Sequence, residues 1–199
     1  AKLPILSDAA KLIADPQVRN RGTIGGDIAH GDPGNDHPAL AMAIDATFVL
    51  EGPGGRRTVA ASDFFFGTYM TALAENEVLC EIHAPAFPDG TGYAYEKLKR
   101  KTGDWATAGC AVVMRKNGDS ISHIRITLTN VAPTALRAHE AEAALLGKSL
   151  DAANIAAAAS AAAAICDPAE DLRGDVEYKT AMASEMVKRA LKAAAARCA

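Results

Sequence analysis

The chain has 199 residues, 49% of them hydrophobic, enough for one large packed domain or two small ones. Its 21 basic and 24 acidic residues leave a formal charge of −3, and the basic ones are scattered, which argues against nucleic acid as the main partner. Its longer apolar runs, such as residues 155–165, are mostly alanine and too short to span a bilayer; with no signal-like opening, the expected compartment is the cytoplasm.

The sequence opens on Ala1-Lys2-Leu3-Pro4, without an initiator methionine, and soon reads like the interior of a domain, as truncation, processing or a split gene would produce. A short helix is predicted over 8–14, closed by Asp15-Pro16 because the residue before proline avoids the helical region. Residues 17–29 read as an irregular stretch centred on Gly22, Gly25 and Gly26. A short apolar helix follows over 39–46, with Pro38 at its first turn. Strands are predicted over 47–51 and 56–60, joined by Gly52-Pro53-Gly54-Gly55, and over 79–84, stopped by Pro85.

Residues 86–92 (AFPDGTG) form the clearest linker and place a domain boundary there. Beyond it, 93–101, 106–116 and 120–130 read as three strands in a meander, the last two joined through Asn117-Gly118, residues that tolerate positive φ. The third strand alternates, with Ile124, Ile126 and Leu128 on its more apolar face. Helices are predicted over 138–146, ended by Gly147, over 150–165, and over 176–196. The last carries Tyr178, Met182, Met186 and Ala190 at a spacing of four, with Leu191, a stripe expected to face the core. The expected fold is therefore α+β: residues 1–87, then 91–199 as a three-stranded antiparallel sheet with helices packed on it.

Chemistry concentrates in Arg19-Asn20-Arg21-Gly22-Thr23-Ile24-Gly25-Gly26-Asp27. Paired glycines let the backbone approach a ligand, successive N–H groups can form a nest for phosphate oxygens, and a threonine hydroxyl adds a donor. The same pattern also serves as a simple turn, and it is neither a Rossmann GxGxxG nor a Walker loop. His30, Asp32, Asp36 and His37 lie close together in sequence, but Pro33 and Gly34 make the stretch a turn and the spacing fits no helical metal-ligand pair, so no metal is expected. Lys97, Lys99, Arg100 and Lys101 read equally as a docking surface for an anionic partner or a solvated strand edge. Cys80, Cys110, Cys166 and Cys198 form no CxxC pair, which points to free thiols and excludes an iron–sulfur cluster held by this chain.

The run VRNRGTIGGDIAHGDPGNDHPALAMAIDA (18–46) resembles the FAD-binding segment of the medium subunits of molybdenum hydroxylases, the family of carbon monoxide dehydrogenase and xanthine dehydrogenase. The likeness continues through FFFGTYMTAL (64–73), ENEVLCEIHAP (75–85), YAYEKLKRKTGDWATAGCAV (93–112), ITLTNVAPTALRAHEAEAAL (126–145) and DLRGDVEYKTAMASEMVKRAL (171–191). The carbon monoxide dehydrogenase branch fits best. The resemblance implies part of a PCMH-type FAD-binding domain over 1–87 and a flavoprotein C-terminal domain over 91–199. It further implies that Thr23, Ile24, Gly25, Gly26 and Asp27 run along the FAD pyrophosphate and ribityl chain, and that Asp36 hydrogen-bonds the cofactor. By the same resemblance Ile13 packs near the adenine, Leu79 makes a backbone contact, Lys97 approaches the flavin, and Trp105 lies against one face of the isoalloxazine ring.

Relatives carry a further glycine-rich pyrophosphate loop on their N-terminal side, with no counterpart in these residues, which implies weak FAD binding unless another chain supplies it. The function implied is electron transfer. Substrate is oxidised at a molybdopterin cofactor in a large subunit, electrons cross [2Fe–2S] clusters in a small subunit, and FAD in this subunit delivers them onward, in a dimer of heterotrimers. No side chain is expected to be catalytic in the narrow sense. Two other classes remain at this stage: a non-catalytic assembly module descended from such a subunit, and a flavoenzyme acting alone.

Overall fold

The computed structural model describes residues 2–198, so the ends of both expected segments, residues 1 and 199, lie outside it. Helix α1 (Pro4–Ala10) buries Ile5 and Ala9. It lies a turn earlier than the 8–14 expected, because Pro4 starts it and Ala14 takes a positive φ of 45° beyond its end.

The stretch 17–29, expected to be irregular, is two short helices, α2 (Pro16–Arg19) and α3 (Ile24–His30). Each is started by a side chain that accepts an otherwise orphaned amide: Asp15 from Val18 N, and Thr23 from Gly26 N. Those caps outweigh the glycines. Helix α4 (Asp36–Ala43) begins two residues ahead of Pro38 and is almost wholly buried.

Strands β1 (Thr47–Gly52), β2 (Gly55–Ala60) and β5 (Val78–His83) form one antiparallel sheet in the order β2-β1-β5. Between β2 and β5 lies a small hairpin, β3 (Phe65–Gly67) with β4 (Met70–Thr71), too short to register as alternation.

The second sheet contains the expected meander, β6 (Gly92–Leu98), β7 (Ala108–Asn117) and β8 (Ser120–Thr129), and adds a two-residue fourth strand, β9 (Leu136–Arg137). Asn117 pairs with Ser120, so the tight turn is Gly118-Asp119, with Gly118 at φ 60°. A register shift at Arg115/Lys116 changes the parity of β8, and Ile121 joins Ile124, Ile126 and Leu128 in one core. Gly92, expected in the linker, begins β6: a Cβ there would stand 2.1 Å from the Ala194 carbonyl oxygen.

Helices α5 (His139–Leu145), α6 (Ala152–Ala164) and α7 (Val176–Ala195) follow, and α6 and α7 pack on one another. The alanine-rich α6 buries Ala158, Ala159 and Ala162, small residues that permit close helix approach. Along α7 the buried stripe is Lys179, Ala183, Met186, Val187, Ala190, Leu191 and Ala194. Tyr178, expected to lead that stripe, is 45% exposed. Helices α5–α7 and the sheet residues Cys110, Val112 and Met114 make one core; Ala111, Val113 and Tyr95 join the α1, α3, α4 and β1 side in the other. The second sheet is thus covered on both faces, an α+β arrangement in which Thr127 Oγ1 donates to the Ala39 carbonyl at 2.7 Å, tying β8 to α4. No helix among the described residues is long and apolar enough to cross a membrane.

Candidate functional site

Helices α2, α3 and α4 converge on the end of β6 and the β6–β7 loop around two adjoining concavities that share Ile13, Val18 and Asp27. The first, about 210 Å³, is bounded also by Asp36, Lys97 and Trp105. The second, about 340 Å³, is bounded by Thr23, Ile24 and His37. Three large apolar side chains around them remain open to solvent: Val18 is 55%, Ile24 46% and Trp105 49% exposed.

Asp36 anchors the first. It is 4% exposed, accepts from Lys97 Nζ at 2.7 Å on one oxygen, and accepts from the Tyr95 hydroxyl on the other. The Lys97 side chain is 1% exposed, so the ion pair is sealed within the protein. Burial, reinforced by the Asp36 carboxylate, raises the Tyr95 phenol well above its ordinary pKa, and it remains a donor throughout the working pH range. Asp36 was expected to hydrogen-bond the cofactor. Both its oxygens already have protein partners, so the concavity meets the Asp36–Lys97 pair as a unit.

The paired glycines lie in the first turn of α3. Gly26 N donates to Thr23 Oγ1 at 3.0 Å and Asp27 N to the Thr23 carbonyl at 3.0 Å; thus Thr23 caps as an acceptor. The amides of Ile24 and Gly25 have no partner among the described hydrogen bonds, as expected for the first helical positions. A Cβ on Gly26 would be 2.9 Å from Thr23 Oγ1, and one on Gly25 would be 3.4 Å from Leu79 Cδ2. Leu79, on β5, therefore backs α3 with its side chain and lines neither concavity.

The four polar residues of 30–37 disperse. His37 Nδ1 lies 2.7 Å from Asp27 Oδ2, and Asp32 accepts from Gly34 N at 2.8 Å and from Tyr69 Oη at 3.2 Å. His30 packs against the Tyr69 ring. The basic run disperses similarly: Lys97 pairs with Asp36, Lys99 donates to the Leu12 carbonyl at 2.8 Å, and Arg100 binds Asp104 at 3.0 Å. Lys101 stays exposed, and the Arg100 side chain keeps 47% of its surface open to solvent.

Sequence reasoning missed the neighbours of Trp105. Asp104 accepts from Arg173 as well as Arg100, and the Arg173 guanidinium lies 5.4 Å from the Trp105 ring centroid. Hydrogen bonds from Arg173, then Arg100, pull the Asp104 carboxyl down to about 2. The only local sign of this was the DLRG run at 171–174.

Residues 1–87 match the family described as FAD binding domain in molybdopterin dehydrogenase, and residues 93–194 match the CO dehydrogenase flavoprotein C-terminal domain. The chain is 73% identical over 199 residues to the carbon monoxide dehydrogenase medium chain of Hydrogenophaga pseudoflava, covering all of this chain and 69% of that one. It is 51% identical to the corresponding chain of Afipia carboxidovorans, over 99% of this chain and 68% of that one. A solved structure of carbon monoxide dehydrogenase from Hydrogenophaga pseudoflava, lacking the Mo-pyranopterin moiety of its molybdenum cofactor, superposes with a TM-score of 0.98. That match is at 77% identity and covers 99% of this chain and 69% of that one. Two family matches in tandem and a common fold across the whole chain lead to one conclusion: the chain belongs to the FAD-binding medium subunits of the molybdenum hydroxylases, oxidoreductase subunits of the carbon monoxide dehydrogenase type.

Proposed function

We propose that this chain holds FAD so that electrons from the [2Fe–2S] clusters of a small subunit pass through it to an external acceptor, while a large subunit carries the molybdopterin cofactor. The observation that carries this reading is Trp105, half open to solvent beside a fully buried Asp36–Lys97 pair. A flat apolar surface with one fixed polar anchor suits a planar aromatic ligand, and Val18 and Ile24 extend it. Such exposed apolar side chains around a concavity otherwise carry a hydration cost that a bound ring would remove.

Bound FAD would supply the one- and two-electron redox chemistry. This chain's own residues would hold and tune it. Trp105 presents an indole that shields one face of a ring from water. Lys97, fixed by Asp36 and by Tyr95 behind it, sets a cation at the wall without mobile side-chain entropy to lose. The unclaimed amides of Ile24 and Gly25 can donate to pyrophosphate oxygens, with Gly26 and Asp27 completing the turn, Leu79 backing it, and Ile13, which lines both concavities, packing near the adenine. The four free cysteines support a reducing, cytoplasmic setting, and a dimer of heterotrimers is the assembly we propose.

The test is to produce the chain together with its small and large subunits and a chain supplying the N-terminal pyrophosphate loop, and to release the flavin. We expect FAD equal in amount to this chain, and bleaching of its absorption when the complex is given substrate. An assembled, molybdenum-loaded complex that lacks flavin would refute the reading.

A further inference from the structure

We infer that Arg173 is a positioning residue for Trp105 and, resting on the function proposed above, for the flavin that Trp105 faces. Trp105 is 49% exposed yet is held at two points. On one side is the backbone of Gly34, where an added Cβ would fall 2.8 Å from the indole Cδ1. The second is the Arg173 guanidinium, 5.4 Å from the ring centroid.

Arg173 is itself fixed from both ends. Its Nη2 and Nε donate to Asp104 Oδ1 at 2.7 and 3.1 Å, while Arg100 Nε takes the other oxygen at 3.0 Å. The Asp104 side chain is 5% exposed and that of Arg173 18%, so this contact is largely withdrawn from water. Behind it, Asp171 accepts from Arg173 N at 2.7 Å and pairs with Lys179 Nζ at 2.8 Å. Lys179 is 2% exposed on α7 and also donates to the Ala169 carbonyl at 2.6 Å.

A chain of charge-assisted contacts therefore runs from α7 through 171–173 and Asp104 to the indole. A tryptophan serving only to fill space would be covered; this one is left open while five charged residues immobilise its surroundings. A planar guanidinium forked onto a carboxylate is the most rigid cation available for setting a ring's position. It also places positive charge close to whatever the indole stacks on, which favours the reduced, more negative state of a redox ring.

The experiment is a mutant cycle in the assembled, FAD-loaded complex with Arg173→Met, Trp105→Ala and the double variant, and Arg173→Lys as the conservative control. Flavin fluorescence, flavin midpoint potential and FAD affinity are read. We expect Arg173→Met to raise flavin fluorescence, lower the potential and weaken FAD binding about tenfold, between the factors for an exposed and a fully desolvated cation–ring contact. Arg173→Lys should recover part of the potential but not the fluorescence quenching, because it keeps the charge and loses the fork. In the Trp105→Ala background Arg173→Met should add little.

Additive effects, or an Arg173→Met variant with unchanged flavin, would overturn the inference while leaving the function standing. A Trp105→Ala variant whose flavin is unaltered would instead remove the proposed role of Trp105. Should Arg173→Met fail to assemble, Asp104→Asn loosens the same fork and must shift fluorescence in the same direction, or the inference falls.

Discussion

At the scale of single residues, the feature that most constrains the site is the sealed Asp36–Lys97 pair, with side chains 4% and 1% exposed. Two charges withdrawn from water are tolerated only together. Asp36→Asn leaves an ammonium facing a neutral amide and should cost about 3–5 kcal/mol, seen as an earlier urea midpoint. A loss under about 1 kcal/mol would mean that water reaches Lys97. Resemblance picked out Asp36, Lys97 and Trp105 from sequence, but composition and spacing did not single out Asp36 from the other polar residues of 30–37. The Arg173–Asp104 contact was out of reach for another reason. It spans 69 residues, and pairing between distant charges leaves no local pattern to read.

Among the elements, legibility followed length. The long strands and α7 announced themselves through alternation and helical spacing, whereas β9 and the β3–β4 hairpin, two or three residues per strand, carry too few positions for any period. Glycine misled twice. In 17–29 it suggested irregular backbone, yet capping by Thr23 and Asp15 decided the outcome. At Gly92 it suggested a flexible linker, yet the residue is needed because α7 crosses β6 at backbone contact. Gly92→Ala should therefore destabilise the fold by about 1–3 kcal/mol or more, since the obstructing atom is a main-chain oxygen that only a shift of α7 can relieve. Thermal unfolding would register it. An unchanged midpoint would show that the helix and strand separate freely.

For the molecule as a whole, the second sheet is the shared wall. One of its faces closes the α5–α7 core and the other packs on α4, and the site lies where this wall meets the short helices of the first half. His123 on β8 reports on that wall. Burial first, then the charges of Arg125 and Arg115, lowers its pKa below the ordinary value. The folded state then binds a proton less readily than the unfolded chain, so stability should fall as pH drops below about 6.5, the usual histidine value. His123→Gln should flatten the decline between neutral and mildly acidic pH in urea titrations; an equal decline in both proteins would assign it to other groups.

The claim beneath all of this is that the concavity between α3 and Trp105 receives the flavin nucleotide. A crystal structure of the assembled complex with FAD tests it most directly. The isoalloxazine ring should lie against Trp105, with the pyrophosphate at the Ile24 and Gly25 amides. A dinucleotide seated elsewhere, with this concavity open, would contradict it.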